Sequence, residues 1–143
     1  MIDVNPNHSR GIATTLCILD EALCAFAAWA EGREVRSVLY CENNDLTLAQ
    51  RQDILKEIND LKTLISQMKD HLKITSAPQN VAQAIWGRCA ALWVDLIKLN
   101  SKHLRRYGEP SEALATYIDP KADMLMEKLN RIFSIVSSHS RDN

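Results

Sequence analysis

Glycine and proline are scarce, with four of each among 143 residues, and the chain holds no low-complexity tract or internal repeat. Few breakers leave long uninterrupted segments, and these are rich in Leu, Ala, Glu, Lys, Gln and Ile, whose summed propensity favours helix. Neither sign of charge dominates: 17 basic and 18 acidic side chains leave a formal net charge of −1. A protein that wraps duplex nucleic acid usually carries a clear basic excess, so this balance speaks against that role. Disorder is excluded by an apolar share of 46% against 24% charged, which is ordinary globular composition. The four cysteines, at positions 17, 24, 41 and 89, lack any CxxC pairing. With no basic, then apolar, leader at Met1–Pro6, they are expected to be reduced thiols of a cytoplasmic protein. The most apolar stretch, Gly11 to Ala30, carries Asp20 and Glu21 at its centre. Adjacent carboxylates there are costly in lipid, so no membrane span is expected.

What remains reads as helix. Asn5-Pro6-Asn7 supplies a cap and a first-turn proline, and Gly32 a terminating residue, for a helix over about 7–31. Residues 33–45 connect it to the next, with Glu34 to Tyr40 compatible with further helix. Thr47 and Gln50 have capping-box spacing and open a second helix, about 48–73. Ser76 and Gln79 repeat that spacing around Pro78, predicting a third helix over 77–107 that stops at Gly108. A fourth, about 111–138, is kinked at Asp119-Pro120 or preceded there by a short helix. Residues 137–143 are expected to fray. The fold class is thus all-α, a four-helix bundle of up-down-up-down topology in one domain spanning residues 1–143.

The helix faces carry the main functional signal. On a helical wheel, Ile12, Leu16, Leu19, Leu23, Phe26 and Ala30 form one apolar face of the first helix, and Ile18, Ala22, Ala25 and Trp29 extend it. The third helix has a stripe of Ile85, Cys89, Leu92, Leu96 and Leu99 beside a second of Trp86, Trp93 and Ile97. Arcs this broad require burial from several directions. Self-association, or docking with another helical protein, is therefore expected, with Trp29, Trp86, Trp93 and Ile97 as the contact surface. The alternative places both helices at the centre of a monomer.

Candidate chemistry is thin. Asp20-Glu21 interrupts an apolar helix, but neighbouring helical residues diverge by about 100° and no ExxH pattern accompanies them. A thin solvated stripe accounts for the pair. His8, His71, His103 and His139 fall on separate segments without metal-ligand spacing. The stretch His103-Leu104-Arg105-Arg106-Tyr107-Gly108 resembles the phosphorylated-histidine segment of histidine-phosphotransfer domains in its His and in Arg106 at a lysine position. Tyr107 stands where that pattern needs glycine, so the family is not assigned. Arg131 and His139 are separated by seven residues, too many for the Arg-x4-6-His pattern of HEPN nucleases. Lys98, Lys102, Arg105 and Arg106 concentrate positive charge near the end of the third helix. This is an anion or nucleic-acid patch (RNA or single-stranded DNA) on the alternative reading, and complement to the helix dipole on the simpler one. Asp119, Asp123 and Glu127 read as a solvated face, with Glu127 paired to Arg131. Neither a catalytic site nor a cofactor or metal is expected.

Overall fold

The computed structural model describes residues 2–139. It is all-helical, with 74% helix and no strand among the described residues. Five α-helices follow one another: α1 (Pro6–Ala30), α2 (Leu48–Leu72), α3 (Val81–Ile97), α4 (Ser101–Leu104) and α5 (Glu112–His139). A single 3-10 turn, Arg105–Tyr107, lies between the last two. The chain divides into two compact units, Met1–Ala77 and Pro78–Asn143. Packing between elements is concentrated inside them, α1 on α2 in the first and α3 on α5 in the second. Pairwise packing is what these contacts establish, and a four-helix arrangement goes beyond them.

In the first unit the local signals act as written. The Asn5 side chain accepts the His8 N–H at 2.8 Å, with Pro6 in the first turn. At the other end Gly32 N–H donates to the Trp29 carbonyl and Arg33 N–H to the Ala28 carbonyl. This Schellman arrangement uses a left-handed glycine, φ 93°, to satisfy carbonyls that the helix itself leaves free. A side chain at that position would also meet Arg51, whose Nη1 lies 2.7 Å from where its Cβ would stand. Thr47 and Gln50 form the reciprocal capping box that opens α2. Leu23, at 2% exposure, and Ile58, at 4%, are the best-buried large side chains here, joined by Ala30 and Ile74.

The second unit departs more from expectation. The third helix does not run over 77–107: α3 begins at Val81, with Asn80 in the cap position and no side-chain cap bond, so Ser76 and Gln79 do not open it. Pro78 biases the residue before it towards extended backbone, which delays the helix. It ends at Ile97, and Asn100 caps the separate α4 by accepting the His103 N–H at 2.9 Å. Asp119-Pro120 starts no new helix, because α5 runs continuously through Pro120. The Asp119 carboxylate instead accepts from the Ser101 backbone N–H and hydroxyl, both at 2.7 Å, and so ties α4 to α5. These two donors hold its carboxyl below the usual range, the backbone N–H contributing most. Helix α5 extends to His139, three residues into the stretch expected to fray; residues 140–143 lie outside the described ones. Cys89 and Ala122 supply the buried centre of this unit.

Candidate functional site

Each unit is built on one long helical pair, α1 with α2 and α3 with α5, and a pair has one inner face. The apolar arc of α1 is wider than α2 covers: Ile18 is 64% exposed, and Phe26 and Trp29 are exposed as well. By length and composition alone α1 is also long and apolar enough to cross a membrane, with a mean hydropathy of 1.6 over its most apolar window, of which little is buried. In the second unit Trp86 and Trp93 are 48% and 40% exposed, with Leu92 and Val94 open beside them and Ile97 half-buried. Trp86 leans on Phe133 of α5, ring centroids 5.3 Å apart, so its position is set from within the unit. Trp29 belongs to the first unit and stacks on Phe26 at 6.1 Å.

Trp29 has a second role that the sequence did not reveal. Its indole N–H donates to the Glu42 carboxylate at 2.8 Å, anchoring the α1–α2 connection. Glu42 also accepts from the Val35 backbone N–H at 2.8 Å and the Tyr40 hydroxyl at 2.9 Å. Glu34 accepts from the Asn44 backbone N–H and from Arg36, and the Asn44 side-chain amide donates to the carbonyls of Trp29 and Arg33. Residues 34–40 are therefore not helical. Arg36 faces Cys41 across an antiparallel bridge, Ser37 N–H bonds the Tyr40 carbonyl, and Glu42 N–H bonds the Val35 carbonyl. Side-chain acceptors have taken the amides that a helix would have used, a competition typical of such loops. The reverse turn holds Val38 and Leu39 at its tip, 94% and 95% exposed.

This bracing is pH-dependent, and its direction follows from the donors. The Val35 N–H first, then Tyr40 and Trp29, hold the Glu42 carboxyl below its usual 4.5. The Asn44 N–H and then Arg36 do the same for Glu34. The hydrogen bond to Glu42 raises the Tyr40 hydroxyl above 10. A depressed carboxyl stabilises the fold above its unfolded value, and this contribution is lost as pH falls through the folded one. A raised phenol acts in the opposite sense and releases above pH 10. The Trp29 indole N–H resonance is expected to hold one position through neutral pH, then move upfield once the pH falls below the usual carboxylate range and Glu42 is protonated. A shift that follows only global unfolding by circular dichroism would remove the link to this carboxylate.

Compared with known proteins, the chain matches no family model, no curated protein and no solved structure. Asp20 and Glu21 are both exposed. No group of three or more His, Cys, Asp or Glu side chains able to hold a metal exists among the described residues. The basic end is partly neutralised: Lys98 lies 3.9 Å from Asp95 and Arg105 lies 3.5 Å from Glu109. Lys102 and Arg106 are exposed beside them on α4 and the 3-10 turn, with Tyr107. Of the cysteines only Cys89 is buried. Cys17 and Cys24 are exposed because α1 offers more faces than α2 covers, and Cys41 is exposed on the connection between the two helices.

Proposed function

We propose that this chain is a non-catalytic helical interaction module, which self-associates in preference to docking with a different helical protein, in a cytoplasmic setting. The observation that carries this reading is the row of large apolar side chains that each helical pair leaves open, Ile18, Phe26 and Trp29 on α1 and Trp86, Leu92 and Trp93 on α3.

A helical pair with an open apolar face is completed when a second pair covers it. The four-helix bundle expected from the sequence thus enters as a proposal about the assembled state. Asp20 and Glu21, midway along α1, favour a protein over lipid as the covering surface, since paired carboxylates are costly at the bilayer centre. Nucleic-acid binding through Lys98, Lys102, Arg105 and Arg106 ranks lower, because carboxylates already compensate two of the four. The test is sedimentation equilibrium, together with a native mass spectrum, of the purified chain across a hundredfold concentration range. A dimer or higher species is expected at micromolar concentration. A monomer throughout would refute self-association, and the search would turn to a different helical partner.

A further inference from the structure

In the second unit the break between α3 and α4 is one residue wide, and side chains hold it. The backbone stays helical at Lys98 (φ −74°, ψ −8°), and the amides of Lys98 and Leu99 still donate to the Asp95 and Leu96 carbonyls, both at 3.1 Å. The chain leaves the helical path at Asn100, whose ψ is 161°, and α4 begins at Ser101. Asn100 Oδ1 accepts the His103 N–H at 2.9 Å and lies 2.7 Å from His103 Nδ1. Asp119 takes the Ser101 N–H and hydroxyl. A continuous helix would instead give the amides of Ser101, Lys102 and His103 to the carbonyls of Ile97, Lys98 and Leu99. Among the described residues those three carbonyls accept no hydrogen bond. Residues 98–107 contain neither proline nor glycine, and Leu99, Lys102, Leu104, Arg105 and Arg106 are good helix formers. Merging the two helices therefore exchanges side-chain bonds for about as many backbone bonds. The two bonds to the Asp119 carboxylate weigh most in that balance, because hydrogen bonds to an ionised acceptor are the stronger kind.

We infer that Asp119 is a latch: it keeps α3 and α4 apart, and its release joins them into one helix from Val81 to Tyr107 that lengthens the open face of α3. The 17-residue α3 is much shorter than the 28-residue α5 it packs on, and the merged helix comes close to α5 in length. Leu104 stands one heptad beyond Ile97, and Tyr107 two heptads beyond Trp93. On a continuous helix both join the face that carries Trp86, Trp93 and Ile97. Tyr107, 88% exposed on the 3-10 turn, is then aligned with the two tryptophans. The use of the lengthened face rests on the self-association proposed above, whereas the latch itself does not.

The test uses the full chain, isotopically labelled for NMR and kept below the concentration of association. Asn100 of the wild type is expected to show the Cα shift of an extended residue. In Asp119→Ala that resonance is expected to move downfield to the helical position. Ser101→Pro supplies the lock: proline suits the first position of α4 and keeps its predecessor extended, but has no amide for the Ile97 carbonyl. Added to Asp119→Ala, it is expected to return Asn100 to the extended shift. If Asp119→Ala loses the fold, Asp119→Asn is read in its place; it keeps an acceptor oxygen without the charge and moves Asn100 the same way by less. An Asn100 that stays extended in the folded variant overturns the latch and leaves self-association standing. In sedimentation at higher concentration, Asp119→Ala is expected to associate roughly threefold to tenfold more tightly, the worth of one further aromatic contact. The double variant with Ser101→Pro loses that gain. A merged helix without tighter association overturns the lengthened contact face. Wild type and variants that are all monomeric overturn self-association, and the Asn100 shift still decides the latch.

Discussion

Truncating Leu23 to alanine is expected to destabilise the first unit by about 2–4 kcal/mol, the largest single-site effect on folding in this chain. Leu23 is 2% exposed on the face of α1 that meets α2, where Ile58 stands at 4%. Removing three side-chain carbons from such a position forfeits their transfer from water and leaves a cavity. The unit has little else to draw on, since its other buried side chains are Ala30 and Ile74. A loss of that size is a large fraction of the stability of a small domain. The control is Ile18→Ala on the same helix, 64% exposed, where a change within about 0.5 kcal/mol is expected below the concentration of association. Urea denaturation by circular dichroism, repeated at several protein concentrations, separates folding from assembly. Equal losses at both positions would mean that Ile18 is buried in the folded state, and the division of α1 into covered and open faces would fall.

The second large effect concerns assembly. Trp93→Asp is expected to weaken self-association by roughly 30-fold or more, while folding of the second unit is little changed. A tryptophan at the centre of a contact is typically worth about 2 kcal/mol or more, and every 1.4 kcal/mol is tenfold in affinity. Trp93 is suited to that part because it is 40% exposed on α3, one heptad from Trp86 and one turn from Ile97. Trp86 is the less informative target, because it also packs tilted against Phe133 and its loss would disturb α5. Sedimentation of Trp93→Asp beside the wild type reads the effect directly. Wild-type association together with wild-type helicity would remove the α3 face from the interface. Loss of helicity instead would show Trp93 to be a core residue of its unit.

The legibility of this chain varied with the range of the interaction concerned. Asn5, Gly32, Thr47 and Gln50 were readable because each acts on backbone groups within one helical turn, and all four do what their spacing predicts. Ser76 and Gln79 had the same spacing yet open no helix, since Pro78 biases its predecessor to extended backbone. The break after Ile97 was missed for a related reason. Its cap, Asn100, is local, but the partner holding Ser101 in the new turn is Asp119, eighteen residues beyond that serine. The loop at 34–42 was the clearest surprise. Its propensities allowed helix, and its outcome was set by Glu42 gathering Trp29, Val35 and Tyr40. A carboxylate with an aromatic N–H thirteen residues away leaves no periodic signature.

The sequence by itself determined that this protein is helical, where α1 and α2 start and stop, and that two of its helices carry more apolar surface than one neighbour can cover. Those properties are additive over short windows: propensity, capping and the 3.6-residue period need no knowledge of distant contacts. Only the tertiary structure decided which arc of each helix is covered, that packing is pairwise within two units, and that Val38 and Leu39 are held out on a braced turn. Those depend on groups far apart in sequence meeting in space. A helical wheel gives the direction of an apolar face, but the presence or absence of an opposing surface is a property of the folded chain.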